Sequence, residues 1–461
     1  MLQVLSPYNL QLIKEIPLAD KAAADKALDT AFHLFNDQSK WLPAWQRIEI
    51  LEKTVEIMKT RVEALTNIAA EEGGKPYIDS KVEVERAINS VKLAAECISR
   101  LTGEQVPMGI NKASENRLAF ITREPIGVVF SISAFNHPLN LIVHQTATAI
   151  AAGCPVIIKP ASSTPLSCLN FIELLKEAGL PAGWCQPLVC KAEIAEQLLA
   201  DERIHYLSFI GSAKVGWHLR SKLAPGIRCS LEHGGAAPVI VEKDADMEAL
   251  LPALLKGGFY HAGQVCVSVQ KVFVEQQICA AVANELAALA KKLVVGDPLD
   301  HDTEVGPLIS TGEVDRVDEW VKEAVEKGAR LLCGGKKISS TCYEPTILLN
   351  PPGDIRISTH EVFGPVVCIY SYTDRQEAIR LANSLNLHFQ ASVFTKDLDV
   401  ALDCVKKLNA TAVMVNDHTA FRVDWMPFGG RDASGLGMGG IPFTMKEMTR
   451  EKMMVIKSKS L

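Results

Sequence analysis

The sequence predicts an α/β fold with at least one largely parallel β-sheet. In the first half of the chain, short runs of Val, Ile and Leu alternate with amphipathic helical segments, an order that produces parallel βαβ units. The length of 461 residues exceeds what a single hydrophobic core usually serves, so two or three domains are expected. We therefore expect a Rossmann-like sheet, in which ligands bind at the carboxyl ends of the strands.

Composition narrows the classes of partner. The chain is 48% hydrophobic and 22% charged, and its net charge of −6 is spread without long runs of one sign. We therefore expect neither nucleic acid nor a membrane surface as the main partner. No apolar run reaches the roughly 18 residues of a membrane span, and the N-terminus lacks a signal layout, so we predict a cytoplasmic protein. The 12 cysteines and 11 histidines lack metal-ligand spacing, so we expect reduced thiols and no metal site.

The first hundred residues are predicted to be helical. Residues 20–35, 45–71 and 78–101 carry apolar side chains three to four positions apart, which is the spacing of an amphipathic helix. Arg86 lies in the third segment. A solvated surface arginine is the simplest interpretation, because arginine is rarely buried without a partner.

Strands and helices then alternate. Residues 103–125 are predicted to form a strand-turn-strand excursion. Predicted strands follow at 127–133, 155–159, 185–189, 205–210 and 228–232, with helices between them at 138–152, 165–178, 194–199 and 213–223. Several polar residues come directly after these strands, where ligands are expected: Asn136, His137, Lys159, Ser162, Gly211, Ser212 and Glu232.

A second α/β section is predicted from 238 to about 422, with helices near 248–255, 278–293, 311–327 and 375–384. The Gly-rich segment 428–440 is predicted to be a loop, and 452–457 a terminal strand. A short apolar strand at a chain end needs a partner edge. Together with 103–125, it indicates pairing of subunits by sheet extension.

Cys266 is predicted to lie on a loop between a helix and a strand. An apolar helical run over 247–259 ends at two glycines, a turn containing Gly263 follows, and 267–274 is predicted to be a buried strand. A thiol in that place can be presented to a cleft, with backbone N–H groups near it for an oxyanion. The alternative is a small buried core residue, the usual state of a free cysteine.

Three other candidates each have a structural alternative. Glu232 can act as a general base or form an ion-paired strand end. Asn136 can donate to a developing negative charge or belong to an Asx turn. The turn from Gly211 to Gly216 can receive a pyrophosphate at a helix N-terminus or simply join strand to helix.

Seven short motifs follow one another along the chain: Phe-Asn-His-Pro from 135, Lys-Pro-Ala from 159, Phe-Ile-Gly-Ser from 209, Leu-Glu-His-Gly-Gly from 231, Gly-Gln-Val-Cys from 263, Glu-Val-Phe-Gly-Pro from 361 and Pro-Phe-Gly-Gly from 427. Their order resembles the aldehyde dehydrogenase superfamily over nearly the whole chain. The resemblance implies that Cys266 is the nucleophile, that Glu232 is the base for thioester hydrolysis, and that Asn136 with the Cys266 N–H forms the oxyanion hole. It further implies that Lys159, Ser162, Gly211, Ser212, Gly216, Glu361 and Phe363 contact the cofactor, NAD or NADP.

The resemblance also implies an architecture. A Rossmann-like cofactor domain is expected at 1–102 and 126–234, an α/β catalytic domain at 235–435, and a small β oligomerisation domain at 103–125 and 445–461, giving a homodimer or homotetramer. The short N-terminus leads us to expect that the initial hairpin of many relatives is missing. Ser162 and Lys214 stand where NAD-preferring members often carry acids, so NADP is expected to be tolerated.

Four residues fall where family members line the substrate tunnel: Arg86, His137, His144 and Arg422. Cations there suit an anionic group, and the chain resembles the branch that oxidises phosphonoacetaldehyde, sulfolactaldehyde, lactaldehyde or succinate semialdehyde. We therefore expect a small anionic aldehyde as the substrate, phosphonoacetaldehyde or a sulfonated aldehyde first. The alternative is that the arginines pair with protein carboxylates such as Asp424. Two other functions are kept as hypotheses: a general aldehyde dehydrogenase that acts on lactaldehyde or succinate semialdehyde, and a non-catalytic structural relative.

Overall fold

A computed structural model of the chain describes residues 1–461. Up to residue 125 it contains β1 (Leu2–Leu5), β2 (Leu12–Ile16), α1 (Lys21–Asn36), α2 (Ala44–Lys59), α3 (Val62–Gly73), α4 (Tyr77–Ile98), β3 (Gln105–Val106) and β4 (Arg117–Pro125). There follow β5 (Val129–Ile132), α5 (Asn140–Ala152), β6 (Val156–Lys159), α6 (Leu166–Glu177), β7 (Cys185–Pro187), α7 (Ala192–Leu199), β8 (Tyr206–Ile210), α8 (Ala213–Arg220) and β9 (Arg228–Glu232).

The second half of the chain begins with β10 (Pro238–Val241), α9 (Met247–Phe259), β11 (Lys271–Glu275), α10 (Gln276–Ala290), α11 (Thr311–Glu326), β12 (Arg330–Cys333), β13 (Thr346–Leu349), α12 (Arg356–Thr359), β14 (Val366–Tyr372), α13 (Arg375–Ala382), β15 (Leu387–His388) and β16 (Gln390–Phe394). It ends with α14 (Leu398–Lys407), β17 (Ala412–Val415), β18 (Arg431–Asp432), β19 (Gly435–Leu436), α15 (Ile441–Glu447) and β20 (Thr449–Lys457).

The first half of the chain folds around a six-stranded sheet in the order β19-β9-β8-β5-β6-β7. All its pairings are parallel except that of β19 with β9. Its strands are buried on both faces, one in a cluster of 39 buried residues and the other in a cluster of 18. Two-sided burial explains why these strands are continuously apolar. The predicted α/β fold with a Rossmann-like sheet is confirmed.

The second half forms a seven-stranded sheet in the order β12-β13-β14-β11-β10-β16-β17. Only β12 runs antiparallel to its neighbour. A cluster of 36 buried residues covers one face and a cluster of 11 the other. β19, at residues 435–436, pairs with the six-stranded sheet of the first half. The predicted domain limits stay predictions.

The third sheet consists of β20, β4 and β3, and β20 is its open edge. β20 pairs antiparallel with β4 along its whole length, from Thr449 opposite Pro125 to Lys457 opposite Arg117. The side chains of Met453, Met454 and Val455 are exposed on this strand. An apolar open edge of this kind is a template for pairing with another chain.

Four sequence predictions need correction. The initial hairpin is present, because β1 and β2 pair and bury Val4 and Ile16 against α6. The helix predicted over 45–71 breaks after Lys59 into α2 and α3. The strand predicted over 267–274 starts only at Lys271, because the Val269 N–H donates to the carbonyl of Gly257 at the end of α9. The loop 428–440 contains the short strands β18 and β19.

No helix of the chain combines the length and the apolarity needed to cross a membrane. The 12 cysteines are all free, and ten of them are buried. Cys229 and Cys266 are partly exposed.

Candidate active site

The strand ends of the six-stranded sheet bring the predicted site residues to one edge. Ile132 of β5 pairs with Lys159 of β6, and Ile210 of β8 pairs with Glu232 of β9. Because these strands are parallel, the loops that follow them leave from the same edge of the sheet. Asn136, Lys159, Gly211 and Glu232 therefore share this edge, as the sequence predicted.

The loop that carries Cys266 starts with a turn of unusual backbone conformation. After α9 ends at Phe259, three consecutive residues, His261, Ala262 and Gly263, have φ of 47°, 53° and 71°. Left-handed backbone is costly for residues with a side chain and is often found at functional sites. A Cβ atom at Gly263 would overlap the carbonyl of Gly364, so only glycine fits there.

Cys266 is partly exposed, and charged groups lie near its thiol. Burial raises the pKa of its thiol to about 12, the Glu361 and Glu232 carboxylates raise it as well, and the Arg422 guanidinium lowers it. Gly235 lies close to the Cys266 carbonyl: a Cβ atom at Gly235 would be 3.2 Å from that oxygen. The thiol is therefore protonated in the resting protein, and Arg422 is the group that favours its ionisation.

Glu232 is the last residue of β9, and a glycine makes room for its carboxylate. A Cβ atom at Gly439 would overlap Glu232 Oε1. Burial raises the pKa of Glu232 and the nearby Arg422 lowers it. A carboxylate with a raised pKa, beside a thiol, is suited to accept a proton from water.

Asn136 is tied directly to the loop of Cys266. Its Nδ2 donates a hydrogen bond to the carbonyl oxygen of Gln264 at 2.9 Å, and an amide nitrogen has a second hydrogen to donate. Gln264 is itself fixed, because its Oε1 accepts from the Ile309 N–H at 2.9 Å and its Nε2 donates to the Pro307 carbonyl at 3.2 Å. The anchoring by Gln264 was not predicted, since it depends on a segment 45 positions away.

On the cofactor side, Glu361 lies over the two glycines that follow Glu232. Its Oε1 accepts from the Gly235 N–H at 3.3 Å, and a Cβ atom at Gly234 would overlap both carboxylate oxygens. Burial raises the pKa of Glu361 to about 8. The segment is held by Gln270, which donates to the His360 carbonyl at 2.8 Å and accepts from the Val362 N–H at 3.0 Å. Sequence reasoning missed Gln270.

Phe363 has φ of 46°, a rare conformation for a bulky residue. Its ring meets the edge of the Phe135 ring, with centroids 5.9 Å apart. The segment of Glu361 and Phe363 is thus in contact with the segment of Asn136. The structure brings together five predicted residues around one point: Cys266, Glu232, Asn136, Glu361 and Phe363.

The remaining cofactor candidates fit a dinucleotide at the sheet edge. Lys159 Nζ contacts only the Pro160 carbonyl, at 3.4 Å, and no carboxylate, so its ammonium is available to ribose hydroxyls. The Ser133 hydroxyl, directly after β5, is buried without a partner. Ser212 caps α8 without a side-chain bond to it, and Ser162 is exposed.

Gly216 is the exception among these candidates. A Cβ atom there would overlap the His233 ring. Packing of His233 therefore accounts for this glycine, and its predicted contact with the cofactor stays a prediction.

Arg86 is paired with a protein carboxylate. Its Nε donates to Asp424 Oδ2 at 3.1 Å and its Nη2 to Oδ1 at 2.7 Å. Asp424 is buried and also lies 2.8 Å from His144 Nε2 and accepts from Asn140 Nδ2 at 3.3 Å. These contacts hold the pKa of Asp424 well below its usual range. For Arg86, the alternative of an internal ion pair is what the structure shows.

Arg422 has no carboxylate partner. Its guanidinium lies over the Phe428 ring at 3.5 Å from the centroid, and its Nε is buried without a hydrogen bond. Its one polar contact is with His144 Nδ1 at 3.5 Å. His137 Nε2 lies 3.2 Å from the Tyr260 hydroxyl, and burial and nearby cations hold the pKa of His137 well below its usual range. Arg422 is thus the cation of this region that makes no direct contact with a carboxylate, while the charges of Asp424 and Glu232 lie near it.

The fold and the grouping of a cysteine, a carboxylate and an amide at one sheet edge agree with the predicted family. The model of the Aldehyde dehydrogenase family matches residues 1–454. The chain belongs to this family and is an NAD(P)-dependent aldehyde oxidoreductase. The family resemblance predicted from the motifs is confirmed.

Proteins similar to this chain include dehydrogenases of small aldehydes. The chain is 41% identical to the 3-sulfolactaldehyde dehydrogenase of Priestia aryabhattai over 457 residues, which cover 99% of this chain and 94% of the relative. It is 38% identical to the lactaldehyde dehydrogenase of Methanocaldococcus jannaschii over 460 residues, covering 99% and 97%. The crystal structure of the glyceraldehyde-3-phosphate dehydrogenase of Methanocaldococcus jannaschii, complexed with NADP, matches with a TM-score of 0.95 at 37% identity, covering 99% of both chains.

Proposed function

We propose that this enzyme oxidises a small anionic aldehyde to the carboxylate, with NAD or NADP as the hydride acceptor. The observation that carries the proposal is Arg422, a half-buried arginine near Cys266 and Glu232 whose Nε is buried without a hydrogen bond and whose guanidinium has no carboxylate partner. A buried charge is costly unless an opposite charge compensates it. The anionic end of a substrate supplies that charge.

The reaction starts at Cys266. Its thiolate, favoured by Arg422, adds to the carbonyl carbon of the aldehyde and forms a C–S bond. The second hydrogen of Asn136 Nδ2 and the backbone N–H of Cys266 donate to the resulting oxyanion. The nicotinamide supplies the hydride-accepting carbon, and loss of hydride leaves a thioester on Cys266. Glu361, Phe363 and Lys159 are the groups that hold the cofactor in this scheme.

Glu232 completes the cycle. Its carboxylate accepts a proton from water, and the hydroxide adds to the thioester carbonyl. The C–S bond breaks, the thiolate of Cys266 leaves, and the product departs as a carboxylate. A side chain at position 439 would overlap Glu232 Oε1, so Gly439 keeps the place of this carboxylate free.

The substrate we place first is a sulfonated aldehyde, followed by phosphonoacetaldehyde. A 3-sulfolactaldehyde dehydrogenase and a glyceraldehyde-3-phosphate dehydrogenase are both similar to this chain, and both names describe aldehydes with a second, anionic group. Arginine suits sulfonate and phosphonate because its fork donates two parallel hydrogen bonds. His137 and His144, both neutral, are the polar neighbours that complete the pocket.

The test is an initial-rate panel with NAD and with NADP. It comprises 3-sulfolactaldehyde, phosphonoacetaldehyde, glyceraldehyde 3-phosphate, succinate semialdehyde, lactaldehyde and propanal. We expect kcat/KM for the best sulfonate or phosphonate to exceed that of propanal by more than about tenfold. Equal or faster turnover of propanal would refute the anionic substrate and leave the aldehyde dehydrogenase activity in place.

A neutral hydroxyaldehyde is the second candidate. The lactaldehyde dehydrogenase that is 38% identical to this chain supports it, and so does the ion pair between Arg86 and Asp424, which removes one of the two cations. In that case lactaldehyde would surpass every anionic aldehyde in the panel, and added sulfate would not inhibit.

We further propose a homodimer or homotetramer that pairs through the open edge of β20. Its exposed apolar side chains support this proposal, and the mass in solution tests it. The cytoplasmic location stays a prediction.

A further inference from the structure

Under the active site lies an ion pair with no access to solvent. Lys75, in the turn between α3 and α4, pairs with Glu83 of α4, and both side chains are 0% exposed. Neither residue carries any chemistry in the mechanism above. Taking two charges out of water costs free energy that their attraction need not repay, and an apolar pair of similar volume is often at least as stable. The pair therefore calls for a role beyond stability.

Both members of the pair reach the segment of Asn136. Lys75 Nζ donates to the backbone carbonyl of Asn136 at 3.3 Å. Glu83 Oε1 accepts from the backbone N–H groups of Leu139 and Asn140, both at 2.9 Å. Three hydrogen bonds from α4 and the turn before it thus fix the residues from 136 to 140, where the chain enters α5.

The side chain of Asn136 is fixed from the opposite side. Its Nδ2 donates to the Gln264 carbonyl, two residues before Cys266. With its backbone held by Lys75 and its amide held by Gln264, Asn136 bridges the α4 side of the site and the Cys266 loop. A shift in either anchor would move the amide relative to the thiol.

We propose that Lys75 and Glu83 form a positioning pair, which holds the Asn136 amide where the oxyanion of the substrate develops. The inference rests on the proposed role of Asn136 in the oxyanion hole. Neither side chain contacts the reacting atoms. The pair acts through the backbone of residues 136–140, so its loss raises the barrier of thiol addition and hydride transfer and leaves substrate binding largely unchanged.

A second buried carboxylate shows that capping a helix does not require the lysine. Glu72 of α3 is also fully buried, and it accepts from the Leu166 and Ser167 N–H groups at 2.6 and 2.7 Å, at the start of α6. No lysine or arginine pairs with it. The difference at Glu83 is Lys75, and the additional bond that Lys75 makes goes to Asn136.

The test compares three variants of the full-length enzyme: Lys75→Met with Glu83→Gln, Asn136→Ala, and Glu72→Gln. The double variant is expected to lower kcat about 10- to 100-fold, with KM for aldehyde and cofactor within about threefold. The aldehyde is also supplied with deuterium at the carbonyl carbon. The deuterium isotope effect on kcat should be larger in the double variant than in the parent enzyme, because hydride transfer becomes rate-limiting. Alkylation of Cys266 by iodoacetamide should keep its rate.

Glu72→Gln is the matched control. It removes a buried carboxylate of the same kind, so it should lower the melting temperature, yet kcat should stay within about twofold and the isotope effect should not change. A loss of kcat in Glu72→Gln as large as in the double variant would overturn the proposal, because general loosening would then explain both.

Different results would refute the role of Asn136 in the oxyanion hole and the positioning pair of Lys75 and Glu83. Full activity of Asn136→Ala would refute its role in the oxyanion hole. Loss of activity in Asn136→Ala together with unchanged kcat in the double variant would refute the positioning pair alone. If the double variant does not fold, Lys75→Met alone decides, since it removes the bond to the Asn136 carbonyl and leaves the bonds of Glu83 to Leu139 and Asn140 in place. An unchanged kcat and isotope effect in Lys75→Met would then overturn the proposal.

Discussion

Two regions that we propose for anionic ligands are built differently. In the proposed substrate region, Arg422 packs on Phe428, and Asp424 pairs with Arg86 beside it. At the edge of the six-stranded sheet, Ser162 is exposed after β6, and Lys159 is only partly buried. Solvent screens the charge of Arg422 only weakly, whereas water reaches the region of Lys159 and Ser162.

The difference bears on selectivity. A charged group that is desolvated on binding discriminates strongly, since a wrong ligand leaves it uncompensated. An exposed site discriminates weakly, because water and salt replace a missing partner. We therefore expect a narrow choice of aldehyde and a broad choice between NAD and NADP.

The largest effect is expected for Arg422→Met. A hydrogen bond to a charged group contributes about 1.5–3 kcal/mol, and a buried ion pair more, so kcat/KM for the best sulfonate should fall about 100-fold or more. Propanal should lose at most about tenfold, through the higher pKa of Cys266 without its neighbouring cation. Arg422→Lys is the control that keeps the charge. Equal losses for both aldehydes would mean that Arg422 serves the thiol alone.

An intermediate effect is expected for Arg86→Met. Its loss leaves the Asp424 carboxylate buried beside the substrate, so KM for an anionic aldehyde should rise about tenfold or more. Adding Asp424→Asn should restore KM to within about threefold of the parent enzyme, since the uncompensated charge is then gone. Asp424→Asn should not rescue Arg422→Met. If KM for the anionic aldehyde stays as high in the double variant as in Arg86→Met, Arg86 binds the substrate directly.

A smaller effect is expected at the exposed region. Ser162→Glu should raise KM for NADP about five- to tenfold, because a carboxylate there repels the 2′-phosphate, and should leave KM for NAD within about twofold. The effect should shrink as salt is raised from 50 to 500 mM, as expected for an exposed charge. Ser162→Gln is the uncharged control. A salt-independent change would place the residue in a buried contact with the cofactor.

The smallest effect concerns pH. Glu232 must be deprotonated to act as a base, and its pKa is raised by burial and lowered by Arg422. Activity is therefore lost as pH falls through this raised pKa, so the acid limb of kcat should lie above the usual value of about 4.3 for a glutamate. In Arg422→Met the limb should move to higher pH. An unmoved limb would assign it to another group.

The sequence predicted those site residues that follow strands or stand in local motifs. Cys266, Glu232 and Asn136 each have neighbours that indicate a loop at the end of a strand, so their place at one edge followed from the sheet. The supporting contacts have no local signature. Lys75 reaches Asn136 across 61 positions, and Arg86 reaches Asp424 across 338. Only the folded chain shows that Arg86 pairs with a carboxylate and Arg422 does not.

An error in the predicted fold has the same origin. Val267 to Gln270 are apolar enough for a strand, yet the Ser268 hydroxyl and the Val269 N–H are bound to the carbonyl of Gly257, so the segment is pinned to the end of α9. The initial hairpin was missed because the short N-terminus indicated its absence, although β1 and β2 are rich in Leu, Ile and Val. It is stabilised by Val4 and Ile16 packing on Leu166 and Val189.

The high pKa of the Cys266 thiol also affects the lifetime of the enzyme. Peroxides and other electrophiles attack the thiolate, and oxidation beyond the sulfenic acid is not reversed by ordinary thiols. With its pKa raised to about 12, the idle cysteine exposes little thiolate to these reagents at neutral pH. We therefore expect peroxide to inactivate the resting enzyme more slowly than it would an enzyme whose cysteine is ionised at neutral pH.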